Sequence, residues 1–319
     1  MRHPVDRLGG AIVALGPRRR RVFAEGWGEE RVLARPPLPS GPPDPVTVAW
    51  DPPLPGTDPP LTCGRFPDPD PDLPAASREA TVLRVSPRRD TGRSLVLMAA
   101  WNEHDPRRRL AIARRLAARG IESWILENPY YGARRPTPAS VQPIRTVADF
   151  VVMGSAALRE GRALLATLHA RDRTVGVAGY SMGGNLAALV SATTPFPVAT
   201  APLAASHSPA PVFLDGVLRG GIAWDALGGE VAAAPRLRRL LAGASVLAVP
   251  APRHAPAAVL VAARHDAYIP REATLALHEH WDGSSLRWTG GGHATLLWYR
   301  TGVLVATILD AFARLSRLR

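Results

Sequence analysis

The chain has 319 residues, 46% of them hydrophobic, which excludes disorder of the whole and allows a large buried core. Its formal charge of +12 comes from 39 basic against 27 acidic residues, but every basic residue is arginine, and Ala and Pro are abundant. Such a bias reads as genome composition rather than a polyanion site; contact with anionic membrane stays open, and nucleic acid is not an expected partner.

The single cysteine, Cys63, excludes an intramolecular disulfide and a cysteine metal cluster, and fits a reducing, cytoplasmic setting. No apolar run reaches the length of a membrane span, since 186–205 is broken by Pro195, Pro197 and Pro202. The apolar stretch at 8–15 is short, and its arginines, at 18–21, follow it, unlike a signal peptide.

In chain order, Val5, Leu8, Ile12 and Leu15 recur at near-helical spacing until Gly16-Pro17. This predicts a helix docked on the body, with a basic, membrane-peripheral anchor as the alternative. Residues 36–78 are rich in Pro and Asp and read as an extended wrap or linker, with a short strand at 46–50. The expected division is therefore 1–79 as helix and wrapping segment, and 80–319 as the main domain.

From residue 80 strands and helices alternate. Strands are expected at 81–85, 95–100, 121–127, 175–179, 198–205, 258–263 and 286–289. Asp105-Pro106 predicts a cap and first turn for a helix over 106–119, ended by Gly120. Thr146-x-x-Asp149 is a capping box opening a helix to about 169. Residues 205–256 read as a helical insertion or lid, Pro270 opens another helix, and 296–318 is the closing helix. Alternation of this kind implies an α/β fold: a mostly parallel twisted sheet with helices on both faces.

The most informative stretch is T-V-G-V-A-G-Y-S-M-G-G at 174–184, an apolar strand running into G-x-S-x-G with a helical run behind it. Strand, sharp turn and helix are the parts of a nucleophile elbow, which raises a serine hydroxyl toward substrate. A serine hydroxyl needs a base, and the base an orienting acid; in such sheets they follow the serine as acid, then histidine. The strand A-V-L-V-A-A-R-H-D delivers Asp266, and S-L-R-W-T-G-G-G-H delivers His293. Asp266 could instead cap the helix opened by Pro270, with Asp215 and Asp225 as fallback acids. His265 reads as a neighbour of the acid, and His104, His207 and His254 as surface or mouth residues. The expected oxyanion donors are the amides of Met182 and Ala100, and Trp101 is a candidate wall of the acyl pocket. No phosphate loop, zinc motif or nucleotide fingerprint is present, so no metal and no cofactor is expected.

Several separated stretches, E-G-W-G around Trp27, L-E-N-P-Y-Y-G at 126–132, V-M-G at 152–154, G-Y-S-M-G-G-N at 179–185, R-H-D-A-Y-I-P at 264–270 and G-G-H at 291–293, resemble the α/β-hydrolase domain-containing protein 18 family. That resemblance implies an α/β-hydrolase fold and a serine hydrolase acting on acyl esters, lipid esters among them, with Ser181 as nucleophile, Asp266 as acid and His293 as base. It also implies that Asn128, Pro129, Tyr130, Tyr131 and Gly132 form a loop facing the site. Family members tend to carry a glycine-containing G-T-G-D-H-like turn where this chain has A-A-W-N-E-H at 99–104. Acyl transfer on the same triad, and a non-catalytic binding protein of the same fold, are the competing readings.

Overall fold

A computed structural model describes residues 2–318. Among these described residues nine strands form one sheet in the order β1-β2-β3-β5-β4-β6-β7-β8-β9. They are β1 (Ala49–Trp50), β2 (Leu61–Pro67), β3 (Glu79–Val85), β4 (Arg93–Met98), β5 (Ile121–Leu126), β6 (Thr174–Tyr180), β7 (Ala199–Leu203), β8 (Val259–Ala263) and β9 (Ser285–Thr289). β4 to β9 run parallel, and β3 pairs antiparallel to both β5 and β2. The register sets Met98 beside Gly179, Tyr180 beside Leu203, and Leu203 beside Val261. The C-terminal ends of the central strands thus share one edge, where open α/β sheets build their sites.

The helices are α1 (Pro4–Leu15), α2 (Glu30–Leu33), α3 (Arg107–Ala117), α4 (Val147–His169), α5 (Met182–Ala192), α6 (Pro209–Leu214), α7 (Glu230–Ala242), α8 (Arg271–His280), α9 (His293–Tyr299) and α10 (Thr301–Arg317). Alternation along the strands decides which helix covers which face. Val96 and Met98 of β4 join Leu164 and Leu165 of α4 and Leu189 of α5 in one core. Leu95 and Leu97 point the other way, into Ile112 and Leu116 of α3 and Ile308 and Phe312 of α10. Each such aliphatic side chain, fully buried, contributes roughly 1.5–3 kcal/mol. A third core, with Phe23, Phe150, Phe213, Leu218 and Leu237, lies where α4, α6 and α7 meet the N-terminal segment.

The predicted capping box is present in both directions: Thr146 Oγ1 accepts from Asp149 N at 3.0 Å, and Thr146 N donates to Asp149 Oδ2 at 2.7 Å. Four expectations are corrected. Besides the strand expected at 46–50, seen as β1, the Pro- and Asp-rich segment supplies β2, paired with β3 along seven residues, so the sheet begins before residue 80. Pro106, not Asp105, takes the cap position of α3, and Asp105 Oδ1 accepts from Arg107 N at 2.8 Å. The closing helix is two helices, α9 and α10, meeting at 85°. Finally, α1 docks on the body as expected, but on its small side: a Cβ at Gly9 would lie 2.5 Å from Tyr268 Oη and one at Gly10 2.6 Å from Val217 Cβ. Its apolar stripe faces out instead, with Leu8 63%, Ile12 65% and Leu15 87% exposed. Among the described residues no single helix is long and apolar enough to cross a membrane.

Candidate active site

Ser181 sits between β6 and α5 with φ 57° and ψ −119°, a left-handed conformation that costs a non-glycine residue on the order of 1–3 kcal/mol. The turn is held because Ser181 N donates to Leu203 O at 2.9 Å while Ser181 O accepts from Gly184 N and Asn185 N. The close crossing needs glycine. A Cβ at Gly179 would lie 2.2 Å from Gly183 O, and one at Gly183 2.6 Å from Met98 O.

Asp266 lies just past β8. Its Oδ1 accepts from Tyr268 N at 2.8 Å and Ile269 N at 2.9 Å, and Oδ2 lies 2.7 Å from His293 Nδ1. Pro270 takes the cap position of α8, so Asp266 orders its own turn and orients the imidazole rather than capping that helix. His293 opens α9; its carbonyl accepts from Tyr180 Oη at 2.6 Å, and the Tyr180 and Tyr268 rings lie 5.0 Å from its own. With Nδ1 committed to Asp266, Nε2 is left for the cavity that His293 lines together with Ser181. Burial disfavours the charged imidazole, but the Asp266 carboxylate, its hydrogen bond and the more distant Asp6 carboxylate outweigh it, and the pKa of His293 lies above the ordinary value.

The cavity has a volume of about 420 Å³, the size of a small-molecule site. Its walls are largely apolar: Trp101, Phe150, Phe213, Leu218, Leu297 and Trp298. Trp101, Phe150 and Phe213 pack against one another with ring centroids 5.3–5.5 Å apart. The roof comes from the insertion, through α6 and the turn Val217–Gly221. Ser208 also lines it; among the described residues its buried Oγ has no hydrogen-bond partner.

Of the expected oxyanion donors, Met182 N–H begins α5 and so has no intrahelical acceptor. Ala100 N–H is already engaged, donating to Glu103 Oε2 at 3.4 Å. Arg109 holds that carboxylate, donating to Glu103 Oε1 at 2.6 Å and to the strand-end carbonyls of Leu97 and Leu126.

Trp101 lines the cavity as expected, but Asn128, Tyr130 and Tyr131 do not. All three are buried behind it. Asn128 Nδ2 donates to Ala99 O, Tyr130 Oη to Asp149 Oδ1, and Tyr131 Oη to Asn102 Oδ1. The N-P-Y-Y-G block is thus a brace that ties the turn after β4 to the start of α4. The fallback acids lie elsewhere: Asp215 pairs with Arg238 at 2.6 Å and Asp225 with Arg18 at 3.6 Å. His104, His207 and His254 contact Arg135, Ser245 and Ser191, all away from the cavity. Phe150, Phe213, Leu218, Leu297 and Trp298 carried no mark in the sequence beyond being apolar. Among the described residues no cluster of three His, Cys, Asp or Glu side chains is placed to hold a metal.

Sheet order, strained serine turn and an acid–histidine pair at the same strand edge define an α/β-hydrolase. The chain belongs to the alpha/beta hydrolase domain containing 18 family, whose model matches residues 46–240 and 232–314. Among solved structures it is similar to TT1662 from Thermus thermophilus, at 17% identity and TM-score 0.54, over 73% of this chain and 93% of that one. It is also similar to a cold-adapted esterase from an Arctic intertidal metagenomic library, at 16% identity and TM-score 0.53, over 83% and 99%. A Pyrococcus horikoshii acylaminoacyl peptidase matches at 11% identity and TM-score 0.51, over 86% of this chain but 41% of that one. At such identities the likeness is one of fold.

Proposed function

We propose that the chain is a serine hydrolase that cleaves a carboxylic ester through an acyl-serine intermediate. The observation that carries this is the strained Ser181 turn sharing one cavity with a histidine whose Nδ1 lies 2.7 Å from a buried carboxylate. His293 Nε2 takes the Ser181 proton as Oγ attacks the ester carbonyl, and returns it to the departing alcohol. A water then gives a proton to His293 and its oxygen attacks the acyl carbon; the carboxylic acid leaves and Ser181 regains its proton. Asp266 holds the imidazole tautomer and stabilises its charged form. Met182 N–H and one amide of the Ala100–Trp101 turn receive the oxyanion, an interaction worth roughly 3–4 kcal/mol per donor in related chemistry.

The apolar walls support a substrate with a hydrocarbon acyl or alcohol part, lipid esters among them. The outward stripe of Leu8, Ile12 and Leu15, followed by arginines at 18–21, supports peripheral contact with anionic membrane. Fluorophosphonate labelling tests the core of the reading: wild type should label and Ser181→Ala should not, and labelling that survives the substitution sinks it. Co-sedimentation with anionic phospholipid vesicles at low salt tests the membrane contact, and absence of binding removes it.

A further inference from the structure

Asp6, on α1, is fully buried although it belongs to a helix whose other face is open to solvent. Its carboxylate accepts three backbone N–H groups from the two loops of the site. Oδ2 takes Ala267 N at 3.1 Å and His293 N at 2.7 Å, and Oδ1 takes Ala294 N at 3.0 Å. Ala267 follows the acid Asp266, and Ala294 follows the base. One side chain from the start of the chain therefore joins the backbone of the acid turn to the backbone of the base.

The docking of α1 is built around this contact. His3 N donates to His265 O at 2.8 Å, beside the acid turn. Gly292 leaves the room: a Cβ there would lie 2.4 Å from His3 Cβ and 2.5 Å from Asp6 Oδ2. Gly9 and Gly10 let the helix close on Tyr268 and Val217, and Tyr268 in turn lies against the His293 ring. A carboxylate with three amide donors is a directional clamp, since hydrogen bonds to an ionised acceptor are about twice as strong as neutral ones.

We propose that Asp6 is a positioning residue, a clamp on α1 that sets the Asp266 turn and the His293 backbone relative to one another. This rests on the triad reading given above. A second consequence concerns charge. The groups facing His293 are Asp266, Asp6, Tyr180 and Tyr268, so Asp6 is the second anion favouring the protonated imidazole.

The test uses the full chain with a short-chain nitrophenyl ester, comparing wild type, Ser181→Ala, Asp6→Asn and Gly10→Leu. Asp6→Asn presents an NH₂ to at least one amide donor and removes the charge. It should lower kcat by about 10- to 100-fold with KM little changed, as displacements near 1 Å do, and should move the acid limb of the pH profile to lower pH. Gly10→Leu presses on Val217, whose N–H donates to Ala267 O at 3.0 Å, but keeps the Asp6 charge, and should lower kcat while leaving the acid limb closer to wild type than Asp6→Asn does. A folded Asp6→Asn with wild-type kcat and an unmoved acid limb overturns the inference. Activity retained by Ser181→Ala overturns the triad reading instead. The wild-type chain answers even if a variant does not fold: amides of Ala267, His293 and Ala294 should resist hydrogen exchange, and exchange as fast as in exposed loops overturns the clamp.

Discussion

His254 is buried under α5, with Nε2 2.8 Å from Ser191 Oγ, which itself lies 2.7 Å from Thr200 Oγ1. Burial lowers its pKa from 6.5 to about 4. Above pH 6.5 the imidazole is neutral in both folded and unfolded chains and contributes no pH dependence. Below that, the unfolded chain takes up a proton that the folded chain refuses, so stability falls as pH drops and levels off below about pH 4. With those two pKa values the loss is about 2 kcal/mol at pH 5, approaching about 3 kcal/mol at the limit. A chain this size loses roughly 0.7 kcal/mol per degree at its unfolding midpoint, so pH 5 should lower Tm by about 3 °C through this residue alone. His254→Gln keeps an amide where Nε2 stands and removes the titration. Thermal unfolding of both chains at pH 8 and pH 5 isolates the effect, because every other titrating group is common to both and largely cancels in the difference. Wild type should lose about 3 °C more than the variant. An equal loss in the two chains refutes the reasoning.

Three further outcomes follow from the geometry. Gly183→Ala drives a methyl against the Met98 and Ala99 carbonyls, 2.6 and 2.8 Å away, and should cost about 1–3 kcal/mol in urea unfolding and at least 10-fold in kcat; full activity in that variant would show that the crossing is slack. Because Asp266 holds the His293 pKa above the ordinary 6.5, kcat/KM should rise with pH along a limb centred above 6.5; a limb centred lower argues against the Asp266 contact. Arg134 and Glu160 form a buried pair at 2.5 Å, with Arg134 also donating to the carbonyls of Glu127 and Ser77. Arg134→Met should cost about 3–5 kcal/mol by leaving Glu160 buried without its partner; adding Glu160→Met should recover part of that, and a double variant no more stable than the single refutes the pairing.

The parallel half of the sheet was legible because its signals are local. The Thr146–Asp149 box, the apolar run before Ser181 and the strand-end positions of Asp266 and His293 need only neighbours in sequence to be read. β2 was hidden because Gly64 and Pro67 break the strand pattern; the structure explains the glycine, since a Cβ there would lie 2.6 Å from Trp50 and Val48. The bend between α9 and α10 has no proline at its corner, Arg300, to mark it in the sequence; Leu296 of α9 and Leu304 of α10 are both buried in the same core. The N-P-Y-Y-G block was visible, but its tyrosines look alike whether they face a ligand or, as here, the back of a loop. The engagement of the Ala100 amide is not legible because its partner, Glu103, is fixed by Arg109 from α3. Asp6 could not be found at all: its three donors stand 261, 287 and 288 residues away.

That separation gives the site an order of assembly. Translation proceeds at about 5–20 residues per second, so Asp6 leaves the ribosome roughly a quarter of a minute to a minute before the amides it holds are made. Until then the Asp6 carboxylate lacks its amide donors, and α1 has only surfaces such as Val217 to settle on. A chain arrested after β7 would already hold the serine turn, since Leu203 O accepts from Ser181 N, and one arrested before residue 293 would hold the acid as well, but neither would have the strap closed across them. Joining α1 to the loop that carries His293 makes a stretch that holds both, rather than any fragment lacking one, the unit that can act.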